Sequence, residues 1–237
     1  MKGLLMGVVV LALSACASSP DPVPGRLENP AGFVALTFDD GPFDHSDRLL
    51  RILAEHEVRA TFFVIGRHVQ ARPDQARRIF DAGHDLANHS WSHASLGNPS
   101  PGPDAIRREL GDTSRAIRGI TGEDPVFFRA PNLNYGSDLA QVAREMGMAI
   151  IGSDAIGRDW EDISPARIVG NVLDAARDGS IVLLHEQFGG DNLRTEKAVP
   201  EIIRGLRARG LEVVSLSELV QIRGARLTAG TLYNAIN

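Results

Sequence analysis

The sequence predicts a single α/β domain whose mainly parallel sheet curls into a distorted, TIM-barrel-like (β/α)7 barrel. Three observations predict it. Short apolar runs alternate with amphipathic stretches from Phe33 onward. Seven such runs share about 190 residues, a spacing that favours a curled barrel over an open sheet. The residues with chemical potential fall just after these runs, where the loops of a βα barrel converge on one face.

The chain of 237 residues begins with a segment outside that domain. Met1-Lys2-Gly3 gives a positive start, and Leu4 to Ala15 is a twelve-residue apolar run. A bilayer span needs about 20 residues, so residues 1–15 read as a secretory signal peptide. The run ends Leu13-Ser14-Ala15-Cys16, which resembles a bacterial lipobox, with lipid attached to the thiol of Cys16 as first mature residue. An ordinary secretory cut near Ala15 or Ala17 is the alternative. Residues 16–32, rich in Pro, Ser and Gly, read as a tether that reaches about 50 Å when fully stretched. Lipidation implies a membrane-anchored protein of the cell envelope on the periplasmic side. Ala17 stands where an aspartate would retain it at the inner membrane, which points to the outer membrane; without lipid the protein is secreted.

Within the domain, residues 33–222, the strands expected are Phe33–Phe38, Ala60–Ile65, Asp85–Asn88, Val126–Phe128, Met148–Gly152, Ser180–Leu184 and Leu211–Val214. Helical spacing of apolar residues runs through Asp47–Glu57, Asp104–Ile120, Ser164–Ala176 and Glu196–Arg209, the last stopped by Gly210. Residues 223–237 read as a C-terminal tail. With 43% hydrophobic and 23% charged residues, the chain can bury a sizeable core. One cysteine excludes a disulfide framework and a cysteine-rich zinc site. A formal charge of −5 gives no basic footprint, so nucleic acid is not an expected partner.

Thr37-Phe38-Asp39-Asp40-Gly41-Pro42 places two aspartates at the end of the first strand. Alternate side chains of a strand point to opposite faces, so one carboxylate can bind a cation while the other faces a water on it. Alone, the same residues also read as a turn. In His89-Ser90-Trp91-Ser92-His93 the histidines are four apart, as on one helical turn that grips a metal. Ser90 stands where the zincin pattern has its glutamate, so the base must come from another segment. Alone, this is also an ordinary surface or capping pair. Together, two histidines and a carboxylate suit Zn, Co, Ni or Mn, and the second carboxylate supplies the base.

At this point the chain resembles the polysaccharide deacetylases of the NodB-homology group, carbohydrate esterase family four. The resemblance rests on Thr37–Pro42, Arg59–Gly66, Gly83–His93, Arg129-Ala130-Pro131, Asp159-Trp160 and Leu183-Leu184-His185, in the family's order. It implies that Asp40, His89 and His93 hold a divalent metal, usually zinc, and that Asp39 is the general base. It further implies that Arg129 pairs with Asp39, that His185 is the general acid and that Asp159 orients it. Trp160 and Leu183 would pocket the acetyl methyl group, and the backbone N–H at Asn132 would meet the tetrahedral oxygen. Read singly, Arg129 is also a structural ion pair and His185 a satisfied core histidine, while His45, His56, His68 and His84 are structural or solvent-facing. Many members continue with Tyr-Gly after Arg-x-Pro; here Asn132-Leu133-Asn134-Tyr135 follows. A ring is thus missing at a substrate-facing place unless Tyr135 swings in. The expected activity is N-deacetylation of a peptidoglycan, poly-N-acetylglucosamine or chitin-type glycan. The alternatives are O-deacetylation of a xylan-type glycan and a non-catalytic glycan-binding lipoprotein.

Overall fold

The structure is a computed structural model that describes residues 25–186 and 193–237. The signal peptide, Cys16 and most of the tether lie outside the described residues. In chain order the elements are β1 (Gly32–Asp39), α1 (Ser46–Glu55), β2 (Thr61–Val64), α2 (Gly66–Ala71), α3 (Pro73–Asp81) and β3 (Asp85–Asn88). There follow α4 (Pro103–Thr121), β4 (Phe127–Phe128), a 3-10 turn (Pro131–Leu133), α5 (Ser137–Glu145), β5 (Ala149–Ile151) and β6 (Ala155–Ile156). The chain ends with α6 (Pro165–Ala175), β7 (Ile181–His185), α7 (Arg194–Ala208), β8 (Leu211–Val214), α8 (Leu216–Arg223) and β9 (Leu232–Tyr233).

All named strands pair in parallel, in the order β6-β7-β1-β2-β3-β4-β5-β9, with β8 joining β1. Strand alternation divides the core. Val34, Leu36 and Phe38 of β1 join Leu49 and Leu53 of α1 and Ile202 of α7 between sheet and helices. Ala35, Phe63, Ala87, Phe127, Ala149 and Ile181 face the other way, into the barrel. Leu216 and Leu219 of α8 join this inner cluster, and Leu216 donates its N–H to Thr61 Oγ1 at the amino end of β2. The barrel is therefore plugged at its base, and its cavity opens at the carboxyl ends of the strands.

Helix ends follow their local chemistry. Ser164 caps α6 ahead of Pro165, and Ser215 with Glu218 forms a capping box on α8. Gly210 takes φ 77 just after α7, the left-handed stop that glycine permits.

Three expectations are corrected. Among the described residues the sheet has nine strands, because the two-residue strands β6 and β9 are added to the seven expected. Asp159 and Trp160 accordingly follow β6. The stretch 223–237 is no loose tail: β9 pairs with β5, Ser180 bridges Ala235, and Ile236 is buried. The described end of the tether also docks, with Leu27 N–H donating to Glu212 at 2.6 Å and Ala31 N–H to the Gly210 carbonyl at 2.8 Å.

Candidate metal centre and catalytic cavity

Strand parity aims the site. In β1 Ala35, Thr37 and Asp39 share the inward face, and Phe127 with Arg129 and Ile181 with Leu183 and His185 do the same from β4 and β7. Asp40 departs from the strand: it takes φ 79, a left-handed conformation costing a non-glycine residue roughly 1–2 kcal/mol. Its N–H still donates to the Phe63 carbonyl at 3.1 Å, and Ile65 N–H donates to Gly41 at 3.0 Å, so the end of β2 holds the turn.

The two histidines reach the same place by a route the sequence reading did not foresee. His89 to His93 form no helical turn; Ser90 and His93 are left-handed, at φ 65 and 63. The loop is tied by side chains. Asn88 Oδ1 accepts from Ser90 N–H at 2.9 Å, and Ser90 Oγ accepts from His93 N–H at 3.0 Å. Glu109 of α4 accepts from the N–H groups of Trp91 and Ser92, at 2.9 and 2.8 Å, and from Ser92 Oγ at 2.7 Å. Glu109 carried no local signal, being one charged residue among several on a helix.

Donor atoms of Asp40, His89 and His93 lie within 4.8 Å of one another. The Nε2 atoms of His89 and His93 stand 3.4 and 3.3 Å from Asp40 Oδ1. That buried oxygen has no hydrogen-bond partner among the described residues, a costly state that a cation would relieve. His89 Nδ1 lies 2.9 Å from the Arg129 carbonyl, which can only accept; Nδ1 therefore carries the hydrogen and Nε2 is the ligating nitrogen. Two imidazoles and a carboxylate fit zinc and its neighbours in the transition series. Burial pushes the Asp40 carboxyl up, but His89, then the charges of His185 and His93, bring it down to about 2. Burial likewise opposes the proton on His89, and the charge of Asp39 and contact with Asp40 outweigh it, so its pKa is raised. To ligate a cation through Nε2, His89 would give up that proton.

Asp39 lies beside this group, its Oδ2 3.7 Å from His89 Nε2. Its Oδ1 accepts from Arg129 Nη1 at 2.7 Å. Arg129 is fully buried and also donates to Thr37 Oγ1 at 2.8 Å, Gly152 O at 2.9 Å and Ile151 O at 3.3 Å, with its guanidinium 4.1 Å over the Phe63 ring. It joins β1 to β5 across the barrel.

Across the cavity, Asp159 is fully buried and holds His185 twice: Nδ1 at 2.8 Å from Oδ1, and the backbone N–H at 2.8 Å from Oδ2. Thr195 Oγ1 donates to the same Oδ2 at 2.6 Å. Burial works against the His185 proton; the hydrogen bond and charge of Asp159, then the charges of Asp39 and Asp40, raise its pKa to about 9. Trp160 stands edge-on to His185, ring centres 5.4 Å apart.

These groups line one cavity of about 360 Å³: Asp39, Asp40, His89, His93, Asn132, Leu133, Ile156, Trp160, Leu183 and His185. Arg129 and Asp159 lie behind it. Leu133 and Ile156 escaped the sequence reading, since neither differs locally from a core residue. Tyr135 does not swing in; its hydroxyl donates to the Ile151 carbonyl at 3.4 Å. Trp91 lies in a separate open groove among α2, α3 and α4 that holds none of the site's ionisable residues. Of Trp91, Tyr135 and Trp160, it is Trp160 that lines the cavity.

Residues 26–151 match the family model described as polysaccharide deacetylase. A chitooligosaccharide deacetylase of Bradyrhizobium sp. (strain ANU 289) is 36% identical over 199 residues, covering 78% of this chain and 90% of the relative. A peptidoglycan-N-acetylglucosamine deacetylase of Bacillus cereus is 32% identical over 189 residues, 79% of this chain and 68% of the relative. The bifunctional xylanase/deacetylase of Pseudobutyrivibrio xylanivorans is 33% identical over 219 residues, 92% of this chain, which spans only 35% of that enzyme. The solved family 4 acetyl xylan esterase of Clostridium thermocellum, in complex with a cobalt ion, matches with a TM-score of 0.79 and 34% identity over 86% of this chain and 98% of the esterase.

Proposed function

The chain belongs to the polysaccharide deacetylase family, the NodB-homology group or carbohydrate esterase family four; from that premise we propose that it removes N-acetyl groups from an N-acetylglucosamine-containing glycan of the peptidoglycan, poly-N-acetylglucosamine or chitin type. The observation that carries the proposal is the convergence of the Asp40–His89–His93 donors, the Asp39 carboxylate and the His185–Asp159 pair on one cavity.

Asp40 Oδ1 and the Nε2 atoms of His89 and His93 would hold the metal, with zinc proposed and cobalt, nickel or manganese able to use the same donors. A divalent cation supplies Lewis acidity, acidifying water and polarising an acyl carbonyl. The remaining work belongs to the chain. Asp39, with Oδ1 fixed by Arg129, takes the proton of the attacking water on Oδ2. His185, with Nδ1 held by Asp159, delivers a proton from Nε2 to the departing nitrogen. The backbone N–H at Asn132 meets the developing oxyanion. Leu183, Ile156 and Trp160 wall the space for the acetyl methyl group and keep water from it.

The likeness to an acetyl xylan esterase raises ester cleavage as a second reading. An alkoxide leaves more readily than an amide nitrogen, so a built proton donor such as His185–Asp159 favours the amide. The chain acts in the cell envelope, anchored to the membrane on the periplasmic side by lipid on Cys16. The apolar run and Leu13–Cys16 support this, and Cys16→Ser is expected to move the protein from the membrane to the soluble fraction; unchanged partition would refute the anchor. The activity is tested by acetate release from chito-oligomers, peptidoglycan fragments and acetylated xylan. Chelation should abolish release and zinc or cobalt restore it. Protein that binds the metal yet frees acetate from none of the three defeats the proposal.

A further inference from the structure

We propose that His68 and Glu186 are positioning residues: they clamp the Asp40–Gly41 turn from the two sides of β1, His68 from α2 beyond β2 and Glu186 from the end of β7, and so hold the Asp40 carboxylate for its cation. The proposal rests on the metal-site reading above. Neither residue touches the donor atoms of that site, His68 meeting the backbone oxygen of Asp40.

The turn needs holding. Asp40 sits in the left-handed region at φ 79, where its side chain meets His89 and His93. The two hydrogen bonds from the end of β2 engage Asp40 N–H and the Gly41 carbonyl, and leave the Asp40 carbonyl to be satisfied. His68 of α2 satisfies it, with Nδ1 2.8 Å from that oxygen. A carbonyl only accepts, so the His68 hydrogen lies on Nδ1. The ring is kept in place by Phe43, 5.3 Å between centres.

Glu186 acts from the other flank, directly after β7. Its backbone N–H donates to the Asp39 carbonyl at 3.0 Å, and its Oε1 accepts from Ser46 Oγ at the start of α1. Its Oε2 occupies the space of a side chain on Gly41: a Cβ there would overlap it. Glu186 is 2% exposed, and Oε2 has no hydrogen-bond partner among the described residues. Since β2 and β7 both pair with Thr37–Asp39, the two contacts bracket the turn.

Groups that support a metal ligand without touching the metal typically account for about 10–100-fold in affinity. The full chain, stripped of metal, is titrated with cobalt and followed by its visible absorption, with the thermal midpoint of the metal-free form measured alongside. His68→Phe, which keeps a ring and loses the donor, is expected to bind cobalt roughly tenfold more weakly with little change in midpoint. His68→Asn, which returns an N–H at the Nδ1 position, should recover affinity to within about threefold. Glu186→Ala should weaken binding in the same direction. Wild-type affinity in His68→Phe overturns the clamp, as does a loss accompanied by a fallen midpoint that His68→Asn fails to recover. Wild-type affinity in Glu186→Ala removes Glu186 from it. The metal site itself is judged separately by His89→Ala and His93→Ala: cobalt binding unchanged in both would overturn that reading and the clamp with it.

Discussion

Two buried arginine–carboxylate pairs stand at opposite ends of the barrel, and they differ in how far the carboxylate is saturated. At the base, Glu212 of β8 lies across from Phe33 at the amino end of β1. Its Oε1 accepts from Arg207 at 2.8 and 3.2 Å and from Val213 N–H at 3.1 Å, and its Oε2 from Leu27 N–H at 2.6 Å. At the rim, Asp39 gives only Oδ1 to Arg129; Oδ2 faces His89 and the cavity. Both pairs are desolvated, and breaking either by removing one partner should cost about 3–5 kcal/mol. The difference teaches that burial of an ion pair says little about its role. A carboxylate with both oxygens occupied holds chain together, and one with an oxygen facing a cavity can take a proton.

The contrast is most open to attack at Asp39. Asp39→Asn is expected to lower acetate release about a thousandfold while cobalt still binds; activity near wild type would show that the cavity-facing oxygen is not the base. His185→Ala comes next, with a loss of about a hundredfold on chito-oligomers and a clearly smaller one on acetylated xylan. Equal activity retained on both would remove its role as acid. The same group sets the basic limb of the pH profile. Its pKa is raised to about 9, so it is protonated below that value and loses its proton as pH rises through it. A bound cation repels that proton, which places the fall in activity at or below about 9. A profile still rising there would count against the assignment. The smallest effect on activity is expected at the base. Glu212→Gln should lower the unfolding free energy by about 3–5 kcal/mol in urea melts, with turnover per folded molecule unchanged. A change in turnover would mean that base and rim are coupled.

Much of the site was legible because its chemistry needs particular residue types next to strand ends. Asp39-Asp40, His89 with His93, Arg129 and His185 each follow an apolar run; β-strand parity carries Asp39, Arg129 and His185 to one rim, and the turns after β1 and β3 bring Asp40 and the two histidines there. What was not legible lacked a local mark. Strands β6 and β9 have two residues each, and they exist because β7 and β5 offer them unpaired edges. The loop from His89 to His93 mimics helical convergence with two left-handed residues and the carboxylate of Glu109 from α4. Leu133 and Ile156 look like any core residue until the cavity is seen between them.

By itself the sequence determined the parallel α/β plan, the two-histidine, two-aspartate set and the order in which its members occur. Alternation, helical spacing and ligand chemistry are all short-range properties that survive in one dimension. Tertiary structure alone decided which oxygen of Asp39 Arg129 occupies, how Asp40 is turned toward the histidines, and that residues 223–237 belong to the barrel. Each depends on groups that meet only once the sheet has curled: Arg129 reaching from β4 to β1, His68 and Glu186 closing on one turn, and β9 finding the edge of β5.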